Sequence, residues 1–219
     1  MTREHAQTVH LTLLEFYGEP VWRNPLPPLD ELVSTILSQN TNDVNRDKAF
    51  DALRAAFPTW ETVRDASPES VIAAIRPAGL ANQKGPRIQN ALQSITQLNG
   101  SLDLAFLQAW QPEAVRRWLM NLDGVGPKTA AIVMLFSLRM PAFPVDTHVY
   151  RVSGRLGLRP QKMSVEQAHP FLEDLFAPEM YYAAHLNLIR LGREICAARK
   201  PNCPACPLQM LCETGKKLV

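Results

Sequence analysis

Several features are scarce or missing in this sequence of 219 residues. No apolar run approaches the ~20 residues that a membrane-spanning helix needs, and no segment alternates apolar and polar residues as a half-buried strand does. The formal net charge is only +2, so overall charge does not by itself predict a nucleic-acid partner. There is no low-complexity tract or internal repeat, and a composition of 46% hydrophobic and 20% charged residues argues against a disordered chain.

The N-terminal residues also lack a targeting signal. The stretch MTREHAQTVHLTLLEF carries charges and has neither the apolar core nor the small-residue cleavage site of a secretory signal peptide. We therefore expect a cytosolic protein, in a compartment that keeps thiols reduced.

Cysteine is rare, and all 4 cysteines of the chain lie between Cys196 and Cys212. In a reducing compartment such a cluster is more often a set of metal ligands than a set of disulfides. The pattern is Cys-x6-Cys-x2-Cys-x5-Cys, whereas zinc sites usually pair two short Cys-x-x-Cys units across a longer loop. The spacing favours an iron–sulfur cluster and leaves zinc as an alternative.

Helical periodicity and helix-end signals recur along the whole chain, which predicts an all-α fold. Ser67 precedes a proline and a glutamate in an N-capping pattern, Ser164 and Gln167 form a capping box, and Gly100 is placed to end a helix. The prolines of EPVWRNPLPP, residues 19–28, exclude a continuous helix and mark a domain boundary.

A short glycine-containing loop, LDGVGPKTA at residues 122–130, joins two predicted helices. The free N–H groups of Gly124, Val125 and Gly126, together with the next helix N-terminus, are suited to hold one phosphate. Such a contact positions DNA without reading its sequence. A plain helix–helix turn is the alternative interpretation of the same pattern.

Two charged residues follow this loop and are candidates for chemistry. Lys128 stands in the first turn of an apolar helix, where the positive helix end favours the neutral, nucleophilic amine. A surface lysine or a second phosphate contact is the alternative. Asp146, in PAFPVDTHVYRV, stands at or near another helix N-terminus, where an N-cap is the simplest role. An N-cap carboxylate can still face a cleft.

Taken together, LDGVGPKTA, VDTH at residues 145–148 and the cysteine spacing resemble the endonuclease III branch of the helix-hairpin-helix DNA glycosylases. The resemblance runs from about residue 29 to residue 212. Two further segments, LSQNTND at 37–43 and AGLANQK at 78–84, are similar to parts of that family that lie against DNA.

This resemblance implies two helical domains. Residues 29–139 would form a six-helix barrel that contains the helix-hairpin-helix at about 113–136. Residues 1–28 plus 140–219 would form an iron–sulfur cluster domain, and the active site would lie in the cleft between the two.

The resemblance also implies an activity. It would be a bifunctional DNA glycosylase/AP lyase of base excision repair, which removes oxidised pyrimidines and cleaves the strand 3′ to the abasic site by β-elimination. Lys128 would form the Schiff base and Asp146 would be the second catalytic residue. The expected partner is double-stranded DNA with damaged bases or abasic sites, and we expect a prokaryotic, nucleoid-associated cytoplasmic monomer that binds no membrane.

The family pattern further assigns a cofactor and a DNA-binding surface. The ligands of a [4Fe–4S] cluster would be Cys196, Cys203, Cys206 and Cys212. The DNA contacts would be Gln39, Asn40, Leu80, Gly124, Val125, Gly126, Thr129, His148, Arg199 and Lys200. Among these, Asn40 and Leu80 match the side chains that replace the flipped base and wedge the opposite strand; ordinary core packing is the alternative role for Leu80.

Three other functions remain open at this point. One is a glycosylase of the same superfamily that acts on another base, such as adenine or a mismatched base, against which Lys128 argues. A second is a non-catalytic DNA-binding module with a structural metal, which gives Lys128 and Asp146 no joint purpose. The third is an electron-transfer protein, which leaves the large helical body unexplained.

Overall fold

The structure, a computed structural model, describes residues 2–22 and 24–216. Every regular element within this part of the chain is helical, which confirms the predicted all-α class. No helix among these residues is long and apolar enough to cross a membrane. The α-helices, numbered in chain order, are α1 Arg3–Tyr17, α2 Pro28–Ser38, α3 Asp43–Ala56, α4 Trp60–Asp65, α5 Pro68–Ala74, α6 Ala81–Asn99, α7 Pro112–Met120, α8 Pro127–Ile132, α9 Thr147–Arg155, α10 Val165–Leu175, α11 Tyr181–Glu194 and α12 Glu213–Lys216.

The chain divides into two compact units. The first, Pro25–Met140, contains α2 to α8 and is called here the hairpin unit. The second combines Met1–Asn24 with Pro141–Val219 and is called the cysteine unit. That these units serve as a barrel domain and a cluster domain remains a prediction.

In the hairpin unit, local sequence signals set the helix ends. The Ser67 side chain accepts the N–H of Ser70 at the start of α5, and α6 ends at Gly100, whose φ of 74° is left-handed. The core positions Leu32, Ile36 and Leu92 are fully buried, because each lies on the inward face of an amphipathic helix.

The apolar helix after the hairpin loop is buried, as its composition predicts, but it is not one regular α-helix. It passes after Ile132 into a π-helical segment, Val133–Ser137, and every residue of that segment is buried. Burial on all sides follows from the apolar sequence, whereas the wider helical winding could not be predicted from periodicity.

In the cysteine unit, α9 and α11 pack closely because Gly192 has no side chain. A Cβ added at Gly192 would lie 2.9 Å from the Cβ of His148. The capping box of Ser164 and Gln167 opens α10 as predicted. The last long helix, α11, begins at Tyr181, directly after a separate 3₁₀ turn formed by Pro178–Met180.

Candidate active site and metal centre

The loop between α7 and α8 has the form that its glycines predict. Gly124 has a φ of 74°, and a Cβ there would meet the Cδ of Arg87 at 2.9 Å, so a close approach also requires glycine. Gly126 is the exposed N-cap residue of α8 and provides no side-chain cap. Val125 and Thr129 are buried, at 6% and 3% exposure, which leaves their side chains little surface for DNA.

Lys128 is the second residue of α8 and is half-buried. The proline before it starts the helix without an orphan N–H, and the apolar residues after it fix the helix in the core. Lys128 therefore projects from a rigid element directly after the hairpin loop, which is the placement that a positioned nucleophile requires.

Asp146 is the N-cap of α9, as the simpler interpretation held. Its Oδ1 accepts the N–H of Val149 at 2.7 Å, and the residue is half-buried. One carboxylate oxygen is thereby held in place, so the direction of the group is fixed by the helix that it caps.

The extended segment before Asp146 is held by three side chains that sequence reasoning missed. The N–H of Phe143 donates to Glu173 at 2.8 Å, and its carbonyl oxygen lies 3.2 Å from Nδ1 of His169. The carbonyl oxygen of Pro144 lies 2.9 Å from Nδ1 of His185. These groups lie on α10 and α11, far away in sequence; the only available signal was the presence of polar residues on otherwise apolar helix faces.

His148, a predicted DNA contact, is half-buried near the start of α9. Its Nδ1 lies 3.1 Å from the guanidinium of Arg151, and its Cβ is the atom that faces Gly192. The ring is thus oriented by neighbours within the cysteine unit.

In the hairpin unit, the two loops predicted to insert into DNA have unusual backbones. Asn40 is exposed with a φ of 52°, and Leu80 has a φ of 50°. Leu80 is 48% exposed, so the core-packing alternative for it is wrong. Gln39 is anchored instead, because its Nε2 donates to the carbonyl oxygen of Gly124 at 3.0 Å.

All four cysteines line one pocket in the cysteine unit. Burial raises the pKa of the Cys206 thiol. Electrostatic repulsion from the neighbouring Cys196, Cys212 and Cys203 raises it further. Within residues 2–22 and 24–216, no group of three or more His, Cys, Asp or Glu side chains is arranged to hold a metal ion. The thiols therefore share a pocket without forming a ready-made single-ion site.

Two arginines on α9 hold the first part of the cysteine loop, and sequence reasoning missed both roles. Arg155 donates to the carbonyl oxygen of Ala197 at 2.8 Å and lies 3.2 Å from Sγ of Cys196. Arg151 donates to the carbonyl oxygen of Cys196 at 3.1 Å. The two arginines are four residues apart and so share one helix face, a spacing that was visible in the sequence.

The basic residues near the cysteine loop separate into two groups. Arg199 and Lys200 are exposed, as a phosphate-contacting pair requires. Arg190 is engaged elsewhere, since its Nε lies 2.9 Å from Glu194 and its guanidinium lies over the ring of Tyr17.

Comparison with known proteins matches this arrangement to one superfamily. Residues 33–178 match the HhH-GPD superfamily of base excision DNA repair proteins. An endonuclease III of Sulfolobus acidocaldarius is 32% identical over 184 residues, which are 83% of this chain and 80% of that protein.

The chain belongs to the endonuclease III family.

Two further similarities extend the comparison. An Arabidopsis thaliana protein classed as a DNA glycosylase is 37% identical over 174 residues, 80% of this chain, and the chain spans only 59% of the length of that relative. A trapped endonuclease III–DNA covalent intermediate has a TM-score of 0.84 at 29% identity and covers 100% of this chain and 99% of its own. The similarity to the endonuclease III fold therefore includes both the hairpin unit and the cysteine unit.

Family membership makes the protein a base excision repair enzyme of the DNA glycosylase/AP lyase class that binds DNA. It argues against the electron-transfer and non-catalytic alternatives. The relatives include plant as well as prokaryotic proteins, so the similarity does not support the prokaryotic expectation.

Proposed function

We propose that this endonuclease III family member removes oxidised pyrimidines from duplex DNA and then cuts the strand 3′ to the abasic site. The observation that carries the proposal is Lys128, a half-buried lysine in the first turn of α8, directly after the hairpin loop. A lysine at this position is what the family resemblance associates with combined glycosylase and lyase activity.

In the proposed reaction the damaged nucleotide is first flipped out of the duplex. The amine of Lys128 attacks C1′, the C1′–N bond breaks, and the base leaves with the bonding electrons and takes up a proton. The C1′–O4′ bond of the sugar ring then breaks and O4′ takes up a proton, which gives the Schiff base. The Schiff base acidifies the C2′ proton, and removal of that proton expels the 3′ phosphate by β-elimination. One enzyme group thus serves both steps.

Asp146 supplies the negative charge in this proposal. Positive charge develops on the sugar as the glycosidic bond breaks, and a fixed carboxylate stabilises it. The same carboxylate accepts a proton from the attacking lysine. The N-cap hydrogen bond to Val149 and the three side chains that hold residues 143–144 support this role, because they keep the carboxylate from rotating away.

Lys128 belongs to the hairpin unit and Asp146 to the cysteine unit, so their action on one nucleotide is part of the proposal. The hairpin loop would hold a phosphate through backbone N–H groups. Asn40 and Leu80 would enter the duplex. The exposed apolar side chain of Leu80 is suited to unstack a base step.

We further propose that Cys196, Cys203, Cys206 and Cys212 hold a [4Fe–4S] cluster. The four thiols line one pocket, Arg155 lies 3.2 Å from Sγ of Cys196, and the N–H of Gly215 donates to Sγ of Cys212 at 3.3 Å. Hydrogen bonds to the sulfur atoms are typical of iron–sulfur cluster ligands. When bound, the cluster supplies folding energy to the loop.

A borohydride trapping assay tests the function. Wild-type protein should become covalently linked to a duplex with an oxidised pyrimidine, and Lys128→Gln should abolish the adduct while DNA binding survives. Lys48→Gln, at an exposed lysine of the same unit, serves as the matched control. Persistent trapping by Lys128→Gln would identify another nucleophile, and a panel that includes adenine and mismatched bases would reveal a different substrate.

Elemental analysis tests the cofactor separately. Protein isolated without oxygen should be brown and contain iron and sulfide in equal amounts. A colourless protein with one zinc per chain would show that the four cysteines bind zinc and not an iron–sulfur cluster.

A further inference from the structure

Lys84 is a charged residue that is almost completely buried, with 1% exposure. Its Nζ donates to the carbonyl oxygen of Leu37 at 2.7 Å and to that of Ala78 at 2.8 Å. Both acceptors are neutral, and burial lowers the pKa of the Lys84 ammonium. An apolar side chain of similar shape would be easier to bury here, so the lysine calls for a reason beyond packing.

The two carbonyl groups lie where two loops begin. These loops carry Asn40 and Leu80, the residues predicted to insert into DNA. Leu37 lies in the last turn of α2, just before Asn40, and Ala78 lies just before Leu80. Each loop then turns through the left-handed region, at φ values of 52° for Asn40 and 50° for Leu80. A leucine in this region is strained, and Leu80 also exposes 48% of its surface. Strained exposed residues persist only where the surrounding structure holds them.

The next turn of α6 adds a link to the hairpin loop. Arg87 packs against Gly124, and its guanidinium lies 3.5 Å from Oε1 of Gln39. Gln39 in turn donates to the carbonyl oxygen of Gly124. Lys84 and Arg87, three residues apart on one helix face, therefore join all three predicted DNA-binding loops of the hairpin unit.

We propose that Lys84 is a positioning residue for base flipping. It fixes the spacing between the loop of Asn40 and the loop of Leu80, so that the two side chains enter the duplex in register. Lys84 contacts no DNA itself, since it is buried beneath both loops. This inference rests on the proposed function of these loops.

The test compares Lys84→Met, which keeps most of the length but removes the donors, with Lys84→Gln, which keeps N–H donors without the charge. Lys48→Met, at an exposed lysine of the same unit, controls for loss of one charge. On a duplex with an oxidised pyrimidine, Lys84→Met should lower kcat on the order of 10- to 100-fold, since small misplacements have effects of this size. KM should change little because the phosphate contacts remain, and Lys84→Gln should recover part of the loss.

Two readouts separate positioning from general stability. Cleavage at a preformed abasic site should fall less than excision, because there is no base to extrude. The loss caused by Lys84→Met should also largely disappear in a Leu80→Ala background, because residues that act through one another are not additive. Additive losses, or equal losses on both substrates, would assign Lys84 to stability alone and overturn the proposal.

The remaining outcomes are also decisive. Should neither Lys84→Met nor Lys84→Gln fold, Lys84 is a stability residue and the proposal is wrong.

If wild-type protein fails to excise any oxidised pyrimidine, the proposed substrate is wrong, but the role of Lys84 can still be measured. A 2-aminopurine placed beside an abasic site reports unstacking by fluorescence, and Lys84→Met should reduce that signal. An unchanged signal would reject the inference independently of the substrate.

Discussion

The guanidinium of Arg155, on α9, lies 3.2 Å from Sγ of Cys196 and also donates to the carbonyl oxygens of Ala197 and Ala198 at 2.8 and 3.0 Å. One side chain thus binds both a predicted metal ligand and the backbone that follows it. The cysteine loop is therefore held to α9 by hydrogen bonds from the protein itself.

Arg155→Met should destabilise the cysteine unit and reduce its metal content. The change leaves several carbonyl groups without their charged donor, and we expect a loss of about 1–2 kcal/mol in the free energy of unfolding. Urea unfolding and iron per chain provide the two measurements. Lys162→Met, at an exposed lysine of the same unit, is the control; equal behaviour of the two variants would mean that Arg155 does not support the loop.

Substitutions at Asp146 should separate its capping role from its charge. Asn caps helices about as well as Asp, so Asp146→Asn should leave the free energy of unfolding nearly unchanged while excision slows by about 100-fold or more. Asp146→Ala should lose both roles and cost about 1 kcal/mol of stability. Thermal unfolding and single-turnover excision measure the two effects. An active Asp146→Asn protein would remove the carboxylate from the mechanism.

Leu80→Gly should stabilise the protein and slow base excision. Glycine adopts the left-handed φ of 50° at this position without the steric penalty of leucine, which is about 1 kcal/mol. The same substitution at Leu98, which is also exposed and lies in the last turn of α6, should destabilise by up to about 1 kcal/mol. Opposite signs in denaturant unfolding would confirm the strain at Leu80; a destabilised Leu80→Gly would refute it.

The double substitution Arg199→Gln and Lys200→Gln should weaken DNA binding and reduce its salt dependence. Both side chains are exposed beside the cysteine loop, and each lost phosphate contact lowers the slope of log affinity against log salt by about 0.9. Binding titrations at several salt concentrations measure the slope. Lys162→Gln is the control for loss of a positive charge on the same unit, and an unchanged slope in the double variant would show that Arg199 and Lys200 contact no phosphate.

The sequence predicted well those features that depend on local chemistry. Helix caps at Ser67 and Ser164, the helix stop at Gly100 and the N-cap role of Asp146 follow from hydrogen bonds between residues only a few positions apart. The apolar composition of the helix that follows Lys128 predicted that this helix is buried. The order of the hairpin, aspartate and cysteine motifs was specific enough to identify the family, because few folds require all three.

Contacts between distant segments were beyond sequence reasoning. Nothing in the sequence pairs Lys84 with Leu37, His185 with Pro144 or Arg155 with Cys196, since none of these bonds follows from helical spacing. Leu80 shows the difference most clearly. Its residue type favours burial, and the sequence allowed core packing; the tertiary structure excluded that role, because the strained turn before α6 leaves the side chain exposed.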